Sequence, residues 1–263
     1  MVYELFDFPY SPMIATLLWA IGIGLIGYFA VFRVRLFDVL AKQPLAAPFM
    51  SLPAVMFAFL MVFMASAAWQ NISLARTALV NEHSALVRMA AVPVLPEISK
   101  QGLHGDLKRY LVAAVDQEWK RHHNQESSAD ADAALEALAV GIWKAETECR
   151  TKSSGDAPCT GGLAVTTFLK ALDDLRLARE QRLSLGFTGG LRLKWALAIA
   201  LAIVTAVSIA AVHRANPRGA AIAVGLFCVA VWMAFSVVTL HFQPYRGPDA
   251  LAPQMLESVR GKL

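Results

Sequence analysis

The chain has 263 residues, of which 57% are hydrophobic and 17% are charged, and its mean hydropathy is +0.49. These values exclude an ordinary soluble protein, because soluble domains carry about 25% charged residues. The net charge of +4 is spread along the chain. It does not form the clustered basic face of a nucleic-acid binder, so nucleic acid is excluded as a partner.

Four apolar segments are long enough to cross a membrane, since a helix needs about 20 residues to span a hydrocarbon core of about 30 Å. None of them contains Lys, Arg, Asp or Glu, and they cover residues 13–32, 49–69, 195–212 and 219–240. We predict an all-α integral membrane protein with four transmembrane helices and a helical extramembrane domain inserted between the second and third. Its predicted parts are an N-terminal transmembrane pair (1–69), the extramembrane helical domain (70–192), a C-terminal transmembrane pair (193–242) and a C-terminal tail (243–263).

The predicted domain is helical throughout. The second span continues without a breaker until Pro93, and its apolar positions repeat at alternating spacings of three and four residues, with Glu82 inside the seam. Residues 103–121 and 130–145 are amphipathic, and residues 162–183 form a helix that leads to the third span. The helices at 70–92 and 162–183 are predicted to run antiparallel.

Basic residues in the short loops predict the orientation of the chain, because loops rich in Lys and Arg face the cytoplasm. Arg33, Arg35 and Lys42 lie between the first two spans, and Arg214 and Arg218 lie between the last two. Both termini and the 70–192 domain are then predicted on the non-cytoplasmic side.

Two cysteines, Cys149 and Cys159, flank the polar loop RTKSSGDAP in the extramembrane domain. A disulfide between them would close a loop of about ten residues and stabilise the fold by about 2–3 kcal/mol in an oxidising compartment. The alternative is a pair of free thiols in a cytosolic loop.

Several motifs, in order along the chain, resemble those of the bacterial bestrophin-like family. The second span ends at Trp69 and leads into a helix with Ala75, Glu82, Ala85 and Leu86. An aromatic-rich helix with Tyr110 and Trp119 follows, and then a helix with Leu175, Ala178, Arg179, Arg182 and Leu183. After the fourth span, residues 243–247 resemble the family's closing P-F-x-G element. The sequence departs from the family pattern at residues 186–190, where a proline is usual before the third span.

The resemblance implies a homo-oligomer around a central anion pathway in the bacterial inner (cytoplasmic) membrane. It also implies a cytosolic soluble part, which is opposite to the orientation that the loop charges predict. A second hypothesis, that the chain is a non-catalytic accessory or structural subunit of a larger membrane complex, follows from the lack of charge within the spans. The partners expected are membrane lipid, further copies of the chain and other membrane subunits.

The most specific candidates for a functional site are Glu82 and a basic stripe formed by Arg176, Arg179 and Arg182. Glu82 lies about 20 Å beyond the end of the second span, and Arg179 lies about 24 Å before the third, so the two depths agree. These residues either line an ion path or form a helix-pairing contact that sets the register.

Phe57, Phe59 and Phe63 in the second span are candidates for a hydrophobic constriction like the bestrophin neck, with ordinary packing as the alternative. The sequence contains no nucleotide-binding, zinc-binding or nucleophile-elbow motif. We therefore predict no enzyme activity, no cofactor and no metal site.

Overall fold

The computed structural model describes residues 11–33, 48–91, 100–152, 162–187, 191–246, 250–261 and 263. All regular secondary structure in these ranges is helical. In chain order the elements are α1 (Ser11–Arg33), α2 (Pro48–Ala91), α3 (Lys100–Val112), a π-helical segment (Ala113–Arg121), α4 (Ala129–Lys152), α5 (Gly162–Gly186), α6 (Leu191–Val212), α7 (Pro217–Phe242) and α8 (Gln254–Arg260).

Four of these helices are long and apolar enough to cross a membrane, over Pro12–Arg33, Met50–Ala91, Leu193–Val212 and Pro217–Phe242. The predicted all-α class with four spans is confirmed. Helix α2 has 44 residues and is therefore about 66 Å long. Its apolar first half and amphipathic second half form one unbroken helix, because no residue between them stops helix formation.

The chain divides into two compact units. Of the described residues, 11–33, 48–71 and 191–243 form the membrane unit, and 72–91, 100–152, 162–187, 244–246, 250–261 and 263 form the helical unit. The boundary between residues 71 and 72 falls inside α2. The helical unit also includes most of the segment after the fourth span, so the predicted tail is part of its packing.

Within the membrane unit, α1 packs on α6 and antiparallel to α7. The hydroxyls of Thr16 and Ser236 are 2.9 Å apart, and the indole nitrogen of Trp232 donates to the carbonyl of Met13 at 3.1 Å. A Cβ added at Gly27 would lie 2.9 Å from the carbonyl carbon of Ala206, so α1 and α6 approach closely at this position. A row of fully buried alanines on α6 allows close packing along that helix, at residues 198, 202, 206 and 210.

The core of the helical unit is formed by the second half of α2, by α3 to α5 and by residues 244–246 and 250–261 after the fourth span, which we call the closing segment. Leu256 and Val259 of α8 are buried in it, and so is Tyr245. On the amphipathic helix α4, Leu135, Leu138 and Ile142 are buried, whereas the apolar residue Trp143 is 60% exposed. The C-terminal helix was absent from the sequence prediction, because seven residues are too few for a clear helical pattern.

Candidate functional site: a buried ionic cluster

Four charged side chains meet inside the helical unit. Glu82 comes from α2, Glu118 from the π-helical segment, and Arg179 and Arg182 from one face of α5, where residues three apart are neighbours. We call these four residues the ionic cluster. Three of them are 0% exposed, and Arg179 is 6% exposed. Charged groups buried to this degree require paired partners.

Arg182 binds both carboxylates of the cluster. Its Nε donates to Glu82 Oε2 at 2.6 Å, and its Nη2 donates to Glu82 Oε1 at 3.1 Å and to Glu118 Oε2 at 2.9 Å. Its Nη1 donates to the side-chain oxygen of Asn124. One guanidinium therefore joins α2, the π-helical segment and the turn that follows this segment.

Arg179 binds the second carboxylate and reaches towards the surface. Its Nη2 donates to Glu118 Oε1 at 2.5 Å, and its Nη1 donates to Asp132 Oδ1 at 2.5 Å. The Asp132 side chain is 56% exposed. Glu118 also accepts a hydrogen bond from the backbone N–H of Ser128 at 2.9 Å. Through these bonds the cluster holds the start of α4 as well.

Aromatic residues surround the cluster. The hydroxyl of Tyr110 donates to Glu82 Oε1 at 2.6 Å. The guanidinium carbon of Arg182 lies 5.5 Å from the centre of the Trp119 ring, within the range of a cation–π interaction. Tyr245 packs edge-on against Trp119 with ring centres 5.1 Å apart. The closing segment thus covers the cluster from another side.

Burial and charge pairing together shift the pKa values of the two arginines and of the adjacent Tyr110. Burial by itself lowers the pKa of Arg182 and Arg179, but the carboxylates of Glu82 and Glu118 outweigh it, so the pKa of both guanidinium groups is raised. The pKa of Tyr110 is raised well above its usual value, mainly by burial and further by the adjacent Glu82. The cluster holds two arginines and two glutamates, which matches a structural ion-pair network.

The turn after the π-helical segment completes the site. His123 and Asn124 have φ values of 49° and 58°, in the left-handed region that ends a helix. The carbonyl of Asn124 lies so close to Gly186 that a Cβ on this glycine would overlap it. Gly186 at the end of α5 therefore lets the turn approach, and the approach brings Asn124 to Arg182.

The predicted basic stripe does not act as a unit. Arg179 and Arg182 both contact Glu118, and Arg182 also contacts Glu82, whereas Arg176 lies exposed on the surface of α5. Sequence reasoning missed Glu118. A signal for it was present, because Glu118 lies seven residues after buried Leu111 and so falls on the same side of a regular helix.

The three phenylalanines of the second span separate in the structure. Phe57 is buried in the membrane unit and packs against Phe227, with ring centres 5.8 Å apart. Phe59 and Phe63 are four residues apart on one face of α2 and are 62% and 70% exposed. Of the three phenylalanines, Phe59 and Phe63 lie on a surface of the membrane unit and Phe57 does not.

Cys159 lies outside the described residues, as does the side chain of Cys149, so their disulfide stays a prediction. Within the described ranges, no group of three or more His, Cys, Asp or Glu side chains is placed to hold a metal ion.

The fold and the site define a class: a four-span, all-helical membrane protein whose extramembrane domain is organised around a buried ion-pair network. The sequence profile of the Bestrophin-like domain matches residues 13–256. The chain therefore belongs to the bestrophin-like family.

Solved structures give the same fold. Three crystal structures of single-residue variants of a bacterial Bestrophin homolog from Klebsiella pneumoniae match with TM-scores of 0.62, 0.61 and 0.59. Each is 14% identical to this chain, and the matches cover 95% of this chain and 96%, 96% and 95% of those chains. No curated protein matches the sequence significantly.

Proposed function

We propose that this chain assembles with copies of itself into an anion channel of the bestrophin type. The observation that carries the proposal is family membership over residues 13–256, since characterised members of this family are anion channels. One feature agrees with it: α2 presents an exposed apolar face, from which several copies of the chain could form an apolar ring.

The proposed constriction is formed by Phe59 and Phe63 and excludes Phe57. A ring of apolar side chains from several copies can gate a pore by excluding water. Phe59 and Phe63 are exposed on one face of α2 and are available for such a ring, whereas Phe57 is committed to the core of the membrane unit.

The ionic cluster is proposed to set helix register and not to line the ion path. Its charges are balanced, and its four members are at most 6% exposed. Arg176 is the exposed basic residue of the predicted stripe and stays a candidate for the ion path.

The channel proposal is tested by chloride flux into liposomes containing the purified protein, after its native mass has been measured. We expect a mass that is a multiple of 28.6 kDa and a flux that responds to Phe59→Ala and Phe63→Ala. Phe29→Ala is the matched control, because Phe29 is similarly exposed (52%) but lies on α1. A self-assembled, folded protein without anion flux would contradict the proposal.

The lack of ionisable residues within the spans favours a second candidate, an accessory subunit of a larger membrane complex, because ion paths usually carry such groups. Gentle extraction from the native membrane separates the two. Co-migration with other polypeptides in fixed ratio would support the subunit, and a clean multiple of one chain mass would support the channel.

We infer a location in the inner membrane, with the helical unit on the non-cytoplasmic side. The support is the distribution of basic residues. Arg33 ends α1, Arg214 lies between α6 and α7, and Arg218 lies in the first turn of α7, all at the same end of the membrane unit. The positive-inside rule places that end in the cytoplasm. The family architecture implies the reverse orientation, and labelling of Cys149 and Cys159, described in the Discussion, distinguishes the two.

A further inference from the structure

An apolar groove runs along the outer surface of the membrane unit between α1 and α7. Its volume is about 470 Å³. On the α1 side it is lined by Leu17, Gly24 and Tyr28, and on the α7 side by Ala221, Gly225 and Trp232. A Cβ added at Gly225 would meet no atom within 4 Å, so the absence of a side chain at this position leaves the groove open.

The length of the groove fits one acyl chain. From Leu17 to Tyr28 it is about 16 Å long, which is about half of a hydrocarbon core of about 30 Å. Because each leaflet fills half of that core, one extended acyl chain can lie along the groove against its apolar lining.

Two arginines lie beyond one end of the groove and outside its lining. Helices α1 and α7 pair antiparallel, with Thr16 beside Ser236 and Val31 packed in one cluster with Val224. This register places Arg33, the last residue of α1, opposite the first turn of α7, which carries Arg218. Both arginines are exposed. Guanidinium groups bind phosphate oxygens in a two-pronged geometry, and basic sites between spans bind anionic lipid headgroups.

We propose that this groove binds an anionic phospholipid, with one acyl chain lying between α1 and α7 and the phosphate held by Arg33 and Arg218. The site depends only on the four spans, so it is independent of whether the chain conducts anions. The acyl chain supplies affinity, and the two arginines supply the preference for an anionic headgroup.

Native mass spectrometry of the purified protein, with dioleoylphosphatidylglycerol or dioleoylphosphatidylcholine added, tests the proposal. We expect one phosphatidylglycerol per protomer, bound more tightly than phosphatidylcholine. Gly225→Leu fills the groove and should weaken binding of both lipids about tenfold. Ala221→Leu is a second filling variant, and Gly22→Leu is the matched control, because a Cβ at Gly22 also meets no atom within 4 Å but Gly22 does not line the groove.

Two further variants test whether the arginines give the preference for an anionic headgroup. Arg33→Gln and Arg218→Gln should each lower the preference for phosphatidylglycerol about fivefold, since one basic residue near the membrane surface contributes about 1 kcal/mol. Lys194 is exposed at the start of α6 and so lies at the other end of the membrane unit. Lys194→Gln should therefore leave the preference for phosphatidylglycerol unchanged.

Three results would overturn the proposal. Folded Gly225→Leu and Ala221→Leu proteins that bind phosphatidylglycerol as the unmodified chain does would exclude the groove. Loss of protomer association in these variants, with lipid binding intact, would assign the groove to a second copy. Competition by glycerol 3-phosphate, which has no acyl chain, would indicate a free-phosphate site.

Discussion

Arg182 is the largest fully buried side chain among the described residues, and its charge makes it the most demanding one to bury. Its stability in the core depends on Glu82 and Glu118, because an unpaired buried charge costs several kcal/mol. The partners of Arg182 come from segments 58 to 100 residues away in the sequence. The helical unit is therefore sensitive to single substitutions at this point.

Glu82→Gln should lower the free energy of unfolding by about 3–5 kcal/mol, because it leaves the buried Arg182 without its main counter-charge. Arg182→Gln should have a similar effect, and the double variant should lose less than the sum of the two. Denaturant unfolding in mild detergent measures all three. Arg176→Gln, exposed on the same helix, is the control and should change stability by less than about 0.5 kcal/mol. Additive losses would argue against the pairing.

Tyr110→Phe should cost about 1.5–3 kcal/mol, since the hydroxyl donates to a charged carboxylate at 2.6 Å. Tyr245→Phe is a matched control, because the buried Tyr245 hydroxyl has no hydrogen-bond partner among the described residues. Equal losses in the two variants would contradict the assignment of the Tyr110–Glu82 bond.

The pH dependence gives a second measurement at Tyr110. Because the pKa of Tyr110 is raised in the folded protein, the unfolded chain releases this phenol proton first. Stability should then fall as the pH rises above about 10, and Tyr110→Phe should reduce this slope. A slope unchanged by the substitution would show that other groups produce it.

At the scale of the elements, the π-helical segment is the least ordinary feature. It covers nine residues, whereas such helices usually appear as single turns near functional sites. It is followed by the left-handed residues His123 and Asn124 and by the Ser128 hydroxyl, which accepts from the Ala131 N–H at 3.4 Å at the start of α4. This sequence of local structures presents Glu118 to both arginines.

Gly186→Ala should destabilise the helical unit by about 1–3 kcal/mol, because the added Cβ overlaps the Asn124 backbone, which cannot move without disturbing Arg182. Gly141→Ala is the matched control: Gly141 is also helical, and its Cβ would meet no atom within 4 Å. It should stabilise by about 0.5–1 kcal/mol through helix propensity. Thermal unfolding of both variants measures the difference. A neutral Gly186→Ala would show that the turn can relax.

The four spans can be predicted from the sequence, whereas the π-helical segment cannot. The spans are predictable because uninterrupted apolar runs of that length have one stable environment. The π-helical segment cannot be recognised from the sequence, because its composition matches that of an ordinary amphipathic helix.

The same division applies to the site. Counting residues from the membrane edge matches Glu82 with Arg179, whereas in the structure Glu82 contacts Arg182, which lies three residues further along α5. The contact between Arg179 and Glu118 depends on the π-helical segment and on the turn after it. Neither of these has a sequence pattern that fixes its geometry.

At the scale of the whole molecule, orientation and the predicted disulfide are linked. If the helical unit lies outside the cytoplasm, Cys149 and Cys159 should be bridged, and a thiol reagent added to the denatured protein should label them only after reduction. Cys149→Ser should then expose one reactive thiol at Cys159. Labelling of both residues without reduction would contradict the disulfide and favour the cytosolic orientation that the family architecture implies.

The ionic cluster also affects the order in which the helical unit can be assembled during synthesis. Glu82 and Glu118 leave the ribosome before either arginine, and Arg182 follows Glu82 by 100 residues. At ordinary translation rates this gap lasts about 5–20 s. Until then the core of the helical unit lacks the guanidinium group that binds both Glu82 and Glu118. Closure then waits further for Leu256 and Val259, which are translated only after the last two spans. The extramembrane domain is thus the first large segment to be synthesised after the first pair of spans and the last to be completed.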